Sequence, residues 1–354
     1  MSYRALDPAL GALAGLGPLL SNGFTSHAPM VCEALCALDR PLAVMPWLES
    51  YRPALRPTAA ALRPIAAEDW RAALGQGERG PDWMALLQTE LAAAPWQAVL
   101  ARWLERLAPG YSSDALHGAI RVAHAARGLA ERETAPRLRE LGDALGSWAA
   151  AYQTLPTSAA PAAARVATRR SPTEAIAHVP VQPVAERRFR GSIVAGLIGL
   201  GDFPAFAPVI DWIEPSGEPV RLLSDLTRAF ARVYLGNATD ELTTVVFAHG
   251  VTAAAALRSF VPYLAPDAMA RLIRYGWQAC AALYASFGAA SPFAGKLTAA
   301  GLEPAALVDL AVAHGDDHVI KLCEACLREY ALEPDPLFLH VARHIHGALP
   351  PARR

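Results

Sequence analysis

The sequence predicts an all-α protein, a multi-helix bundle-like architecture with a central histidine-lined cavity. Alanine and leucine dominate the 354 residues, aromatic residues make up only 8%, and no alternating run of strand length recurs. Apolar residues instead return at intervals of three and four, as one face of a helix requires. Hydrophobic residues account for 53% and the formal net charge is −1. A buried core is therefore expected, whereas intrinsic disorder and bulk electrostatic binding to nucleic acid or an anionic membrane are not.

Helix start signals support this fold class along the chain. The helical spacing over 116–123 follows the capping residues Ser112-Ser113-Asp114. The spacing over 242–257 follows a second cap, Thr239-Asp240. Pro304 suits the first turn of a later helix, where its missing N–H has no cost. The sequence therefore predicts helices on both sides of the middle of the chain.

The middle of the chain has a different composition. Between residues 155 and 189, prolines punctuate Ala, Ser, Thr and Arg with few large apolar side chains. We expect a connector there, between an N-terminal helical half (1–154) and a C-terminal one (190–354) that together form one integrated domain. The run Gly196-x-x-Gly199-x-Gly201 matches neither the dinucleotide fingerprint nor the phosphate loop, and a helix end with a turn is expected instead.

Compartment and membrane contact can also be judged from the sequence. The uncharged stretches Pro8–Cys32 and Tyr275–Gly295 are interrupted by Gly, Pro and polar residues, so no membrane-spanning helix is expected. The five cysteines fit no disulfide framework and no paired CxxC zinc site. Buried, reduced thiols and a cytoplasmic location are therefore predicted.

Histidines on separate apolar segments are the clearest chemical signal. His27, His117, His249 and His318 lie where a solvated imidazole would not be expected, and Gly118 and Gly250 follow two of them. A glycine inside a helix costs about 1 kcal/mol, so each is expected to permit the close approach of another helix or of a ligand. Each can be a hydrogen-bonded core residue, or together they can form one site for a divalent first-row metal such as Zn, Fe, Cu or Ni. A Glu-x-x-His motif, which di-iron sites need, precedes none of His117, His249 and His318, so a mononuclear site is preferred.

Lysine usage singles out one further candidate ligand. Only Lys296 and Lys321 are present, so 30 of the 32 basic residues are arginine. Lys296 lies in a Gly/Pro/Ser-containing loop and is expected at the surface. Lys321 lies three residues after His318; an amine near a cation has a depressed pKa and can capture CO2 as a carbamate, an anionic oxygen ligand. Three carboxylates offer a simpler source of that ligand: Asp316, Asp317 and Glu324.

Several other histidines remain open. His314 or His124 could join the metal site. The C-terminal group His340, His344 and His346 is expected to be solvated or packed, with a secondary metal site as the alternative.

These motifs resemble the questin oxidase-like family. The matching segments are Phe24-Thr25-Ser26-His27, Leu116-His117-Gly118-Ala119-Ile120-Arg121, His249-Gly250-Val251-Thr252 and Asp317-His318-Val319-Ile320-Lys321. Their order and spacing fit over nearly the whole chain. The resemblance implies an α-helical oxidoreductase that uses O2 to oxygenate or open the ring of an aromatic, quinone-like polyketide. The Arg/Ala-rich composition departs from that family, so the substrate can differ.

The resemblance also implies a set of site residues. Non-haem iron (Fe2+) would be held by His27, His117, His249 and His318, with carboxylated Lys321 as the anionic ligand. The chain has no recognisable nucleotide-binding motif, so any NADPH that the reaction requires would bind at an unrecognised site or to a partner.

Beyond the metal ligands, the sequence suggests residues for catalysis and substrate binding. Arg121 and Asp317 are the candidate catalytic residues, Arg121 to steady an anionic substrate or, alternatively, to form a salt bridge. The candidate pocket walls, each also a plausible core residue, are Trp47, Tyr234, Phe247 and Trp277. Two rival functions stay open: a zinc-dependent hydrolase using the same site, and a non-catalytic helical binding protein. The oligomeric state cannot be predicted.

Overall fold

The computed structural model describes residues 2–158, 170–187, 192–213 and 218–352. Helices dominate these ranges, which confirms the predicted all-α class. Their one sheet has two antiparallel strands, β1 (Leu16–Leu20) and β2 (Leu55–Pro57). Contacts between residues divide the chain into two units. The first is built from the chain up to Leu107 and from His117–Gln153; the second from Ala108–Leu116 and from Thr154–Ala352.

The first unit contains eight of the α-helices that the structure describes. In chain order these are α1 (Leu6–Ala12), α2 (Ala28–Ala37), α3 (Pro41–Tyr51), α4 (Trp70–Ala73), α5 (Gly80–Ala93), α6 (Trp96–Leu107), α7 (His117–Glu131) and α8 (Ala135–Ala150). Helix α8 packs along α5 and α7, and α2 packs on α7. The tryptophans Trp83, Trp103 and Trp148 are fully buried here, and the rings of Trp83 and Trp103 meet edge to face at 5.4 Å.

The second unit holds the remaining described α-helices. They are α9 (Pro172–Ile176), α10 (Ile193–Gly199), α11 (Pro219–Asn237), α12 (Glu241–Ala256), α13 (Pro266–Phe287), α14 (Pro304–His314), α15 (Asp317–Leu332) and α16 (Pro336–Ala348). Helix α12 is central, because it packs against α11, α13 and α15. Short 3-10 segments connect several helices of both units: Ser2–Ala5, Arg52–Ala54, Gly77–Arg79, Ala108–Gly110, Ser113–Leu116, Val184–Glu186, Leu200–Asp202, Pro204–Asp211 and Leu257–Tyr263.

The start signals read from the sequence have mixed outcomes. Asp240 caps α12, since its side chain accepts the N–H of Thr243, and Pro304 opens α14. The expected cap at Ser112-Ser113-Asp114 is wrong: Asp114, Ala115 and Leu116 instead form a left-handed turn, with φ of 51°, 55° and 71°, directly before His117. Non-glycine side chains rarely adopt this conformation, so it could not be read from the residue types.

The connector and the glycine-rich run also have defined structure in the described ranges. Within 155–189, Pro172–Ile176 forms helix α9, capped by Ser171 and Glu174, while residues 159–169, 188 and 189 of the predicted connector lie outside the described residues. Gly199 ends helix α10 and Gly201 lies in the short turn after it, as predicted. The predicted halves and their integration into one domain stay predictions.

One helical stretch in the described ranges, Glu241–Tyr263, is long and apolar enough to cross a membrane by length and composition. A bent pair, Ile193–Asp202 with Pro204–Asp211, would pass the same test if it formed one span. In the first stretch 72% of the apolar window is buried inside the protein, and a buried core helix passes the same test of length and composition.

Candidate metal-binding histidines

Two of the predicted ligands lie together in the first unit. His27 directly precedes α2 and His117 is the first residue of α7, so the packing of α2 on α7 brings their rings together. Both side chains are buried, and their Nε2 atoms are 2.7 Å apart. At this distance one neutral imidazole must donate its proton to the other. When both rings carry their hydrogen on Nδ1, the two Nε2 lone pairs face each other, as metal binding needs.

The glycine after His117 explains how α7 is held at this position. A Cβ built on Gly118 would lie 2.5 Å from Cγ of Trp148 on α8, so only glycine lets the two helices approach this closely. The sequence predicted such a close approach at both His-Gly pairs, and at Gly118 this is confirmed. A Cβ on Gly250 would meet its nearest atom, Cδ1 of Leu283, at 3.7 Å, which is ordinary contact. A close helix approach is therefore wrong for Gly250, and the alternative, a ligand there, stays a prediction.

His249 lies in the second unit, on α12, and its ring is held in one tautomer. Its Nδ1 lies 2.7 Å from the carbonyl oxygen of Val245, one helical turn earlier. A carbonyl only accepts, so Nδ1 carries the hydrogen and Nε2 carries the lone pair of the neutral ring. Metal-bound histidines characteristically donate their second ring N–H in this way, which fixes the orientation of the ligating nitrogen.

His318 on α15 faces His249 with a similar arrangement. The two ring centroids are 5.3 Å apart and the planes are nearly perpendicular, at 67°. Nδ1 of His318 lies 2.8 Å from a carboxylate oxygen of Asp317, which leaves Nε2 as the lone-pair nitrogen. Burial opposes protonation of His318, but the charge of Asp317 and the hydrogen bonds that His318 donates to the carboxylates of Asp316 and Asp317 outweigh it and raise the pKa of the ring.

A small group of oxygen and nitrogen donors surrounds the start of α15. Ligand atoms of Asp316, Asp317 and His318 all lie within 4.8 Å of one another, so this group could hold a metal ion. Asp316 has a second task, because its carboxylate caps α15 by accepting the N–H groups of His318 and Val319. Mixed imidazole and carboxylate donors suit a divalent transition metal better than Ca2+ or Mg2+, which prefer oxygen alone.

Lys321 is buried one turn after His318, with only 3% of its surface exposed. Burial lowers the pKa of its ammonium group to about 8, against the opposing charges of Asp317 and Asp316. Carbamate formation requires the free amine, and a pKa of about 8 leaves about a tenth of it unprotonated at pH 7. Lys296, in contrast, is exposed in a loop, as predicted.

No protein-family model matches the chain, and the search of curated proteins finds no match. The likeness to questin oxidase-like proteins therefore rests on the four short motifs alone. The two histidine pairs are each described within their own unit, and the idea that all four rings bind one ion stays a prediction. The five cysteines are all buried and free, as predicted.

The other predicted site residues have defined partners. Arg121 makes a bidentate ion pair with Glu140, at 2.7 and 2.9 Å, which is the salt bridge that the sequence allowed as its alternative role. Trp277 donates to the carbonyl of Val209, and Tyr234 contacts His344; both are fully buried.

The last two candidate wall residues differ in exposure. Phe247 is also buried in the core of the second unit, whereas Trp47 is half-buried and stacks on Tyr51 with ring centroids 4.7 Å apart. A substrate role for any of the candidate wall residues stays a prediction.

A buried charge cluster in the first unit was missed by the sequence reasoning. Glu33 on α2 accepts hydrogen bonds from Tyr3 (2.5 Å), His124 (2.6 Å) and Arg127 (3.0 Å). Burial raises the pKa of Glu33, but the charge of Arg127 and these hydrogen bonds outweigh it and hold the pKa far below its usual value. A signal was present, since Glu33 is the only charged residue of an otherwise apolar helix.

Two small cavities in the first unit are both lined in part by Glu140. One, of about 20 Å3, is lined in part by Arg121, Glu140 and Asp143; the other, of about 10 Å3, lies beside Glu33 and His124. Each has room for about one water molecule, not for an aromatic ring. Burial and the neighbouring charge of Glu140 raise the pKa of Asp143 to about 6.

Proposed function

We propose that this protein is a metal-dependent oxidoreductase that oxygenates or opens an aromatic, quinone-like ring with O2, using non-haem iron. The observation that carries the proposal is the matched arrangement of His249 and His318. Each donates its Nδ1 hydrogen to a fixed acceptor, Val245 or Asp317, so that both Nε2 lone pairs are oriented in advance for a cation.

The donor types support iron. Two imidazoles with one anionic oxygen make the set typical of non-haem Fe(II) oxygenases, which keep open positions for other ligands. The anionic oxygen would come from a carbamate on Lys321 or from a carboxylate beside it. The assignment of His27 and His117 to the same metal rests on the family resemblance, and their 2.7 Å Nε2 contact is compatible with it.

The residues of this chain have separate tasks in the proposal. The bound iron would supply activation of O2. Asp317 holds the His318 ring in one orientation by accepting its Nδ1 hydrogen. The buried Lys321 amine, whose pKa burial lowers to about 8, would be the nucleophile that captures CO2. Apolar packing around α12 keeps bulk water away from His249, which is 3% exposed.

Metal content of variants tests the proposal. Iron bound to the wild-type protein should be lost in His249→Ala and His318→Ala. Asp317→Asn should weaken metal binding about tenfold to a hundredfold, because the acceptor of the His318 Nδ1 hydrogen loses its negative charge. His340→Gln is the control, since His340 lies on the surface of α16 and bonds to Thr298. Unchanged metal content in both alanine variants would refute the site.

Elemental analysis separates the rival functions. Stoichiometric zinc in place of iron, with hydrolysis of esters or amides and no O2 consumption, would support a zinc hydrolase, for which a carbamate ligand and an open position are equally suited. A protein that takes up no metal from either salt would support the non-catalytic binding protein.

A further inference from the structure

The C-terminal histidines contain a second feature that the proposed oxidase function does not use. His314 ends α14, and His346 lies on α16, which packs against α14 in the same unit. Their ring centroids are 5.1 Å apart and the planes are inclined by 59°. The sequence grouped His346 with His340 and His344, whereas its ring partner in the structure is His314.

The ring of His314 is held in place by the residues that follow α16. Its Nε2 lies 3.0 Å from the carbonyl oxygen of Leu349, and the N–H of Ala352 donates to the His314 carbonyl at 3.0 Å. Gly315 adopts φ of +77°, and a Cβ there would lie 3.4 Å from the Cβ of Ala352. The segment from Leu349 to Ala352 therefore crosses the end of α14 and fixes the imidazole.

This contact decides which nitrogen of His314 is open to a ligand. The Leu349 carbonyl only accepts, so Nε2 carries the hydrogen and the neutral ring keeps its lone pair on Nδ1. That Nδ1 atom is buried and has no hydrogen-bond partner among the residues that the structure describes, in a side chain only 5% exposed. Buried polar atoms nearly always have partners, so this nitrogen calls for one.

His346 supplies the second donor. Burial, His314 and Arg343 together lower the pKa of His346, so its ring is neutral and able to bind a cation near neutral pH. Nη1 of Arg343 lies 3.3 Å from Nδ1 of His346, and the Arg343 side chain is exposed, so a cation bound at Nδ1 would have to displace it. The pair thus combines the fixed, buried ring of His314 with the half-buried ring of His346.

We infer that His314 and His346 form an accessory metal site for a borderline first-row divalent cation such as Zn2+ or Cu2+, with water completing its coordination. Two neutral imidazoles favour such ions over Mg2+ and Ca2+. The fixed Nε2 donor on His314 is the second interaction that ligating histidines usually make. The inference does not depend on the proposed oxidase function, because it uses other residues.

Titration with zinc chloride of the full chain, followed by calorimetry, tests the site. The wild-type protein should bind one more equivalent of Zn2+ than His346→Gln, or bind it at least tenfold more tightly. His340→Gln, a change on the same helix, should match the wild type. Zinc bound at any other site contributes equally to the three proteins, so it does not affect the difference in stoichiometry or affinity between them.

Nitrogen NMR gives an independent reading that does not rely on a substitution in the core. In the 15N-labelled wild-type protein, His314 should be the Nε2–H tautomer, and Zn2+ should shift its Nδ1 resonance; in His346→Gln that shift should disappear. Equal zinc stoichiometry and affinity in the wild type and His346→Gln, or an Nδ1 resonance of His314 unmoved by zinc, would overturn the inference.

Discussion

At the scale of single residues, ring tautomers and close contacts decide what the site can do. His249 and His318 look alike in sequence to any buried histidine, yet each has its Nδ1 hydrogen committed to an acceptor within hydrogen-bond distance. The glycines that follow two of the histidines also differ in their surroundings. A methyl group at Gly118 would collide with Trp148, whereas a methyl group at Gly250 would fit. The sequence showed two equal His-Gly pairs, and only packing separates them.

The two glycines make a matched pair for a stability measurement. Gly118→Ala should lower the free energy of unfolding by about 1–3 kcal/mol, because the added methyl group collides with the rigid indole of Trp148. Gly250→Ala should leave it unchanged or raise it by up to about 1 kcal/mol, since alanine is the better helix former. Urea unfolding measures both. Equal losses in the two variants would contradict the packing described for α7 and α8.

Carboxylation of Lys321 can be tested directly because the chain has only two lysines. Protein equilibrated with 13C-bicarbonate should show by NMR a carbamate resonance that depends on Lys321, because burial lowers the pKa of its amine to about 8. Lys321→Arg should abolish that resonance, as a guanidinium keeps its proton. Lys296→Arg should retain it. A resonance that survives Lys321→Arg would place the modification elsewhere.

At the scale of elements, the buried Glu33 cluster joins α2 to α7. Glu33 lies six residues after His27, while its partners His124 and Arg127 lie one turn apart on the helix that begins at His117. The cluster therefore fixes how the two helices that carry the first histidine pair sit against each other. Its charges are buried, so loss of one partner leaves the others uncompensated.

Glu33→Gln should lower the free energy of unfolding at pH 7 by about 3 kcal/mol. The folded-state pKa of Glu33 lies below its unfolded value, so the ionised group stabilises the protein above about pH 4.5 and loses this effect as pH falls. The gap between wild type and Glu33→Gln, measured by urea unfolding, should therefore narrow progressively below that pH.

Glu78→Gln is the control for Glu33, because its ion pair with Arg63 is exposed and 3.9 Å long; it should change stability by less than about 0.5 kcal/mol. A gap between wild type and Glu33→Gln that stays constant into acid would show that Glu33 acts through packing alone.

At the scale of the whole molecule, the helical fold was predictable and the assembly of the site only partly so. Apolar spacing and the cap at Asp240 are local signals, and they predicted helices where the structure has them. The left-handed turn at Asp114–Leu116 follows no rule of residue type. The cluster at Glu33 joins residues about 90 positions apart, and short-range patterns carry no information about such pairings.

The pH dependence of stability also belongs to this scale. Asp143 has a folded-state pKa of about 6, above the ordinary aspartate value of 3.8, so the folded protein binds this proton more tightly. Protonated Asp143 therefore stabilises the folded protein below about pH 4, and this stabilisation is lost as the pH rises through about 6. Wild type should therefore lose up to about 3 kcal/mol of unfolding free energy between pH 4 and pH 8 because of Asp143. Asp143→Asn should not show this loss, because its side chain does not titrate.

Urea unfolding of both proteins across this range measures the effect of Asp143. Parallel stability profiles for wild type and Asp143→Asn would show that Asp143 titrates normally in the folded protein.

The central claim is that histidine nitrogens of this chain coordinate a metal ion. X-ray absorption spectroscopy of the metal-loaded wild-type protein tests it most directly, because imidazole rings bound to a metal give a characteristic multiple-scattering pattern. The account predicts iron with at least two imidazole ligands, and the loss of that pattern in the His249→Ala, His318→Ala double variant. A metal surrounded only by oxygen, or an imidazole pattern that persists in the double variant, would contradict it.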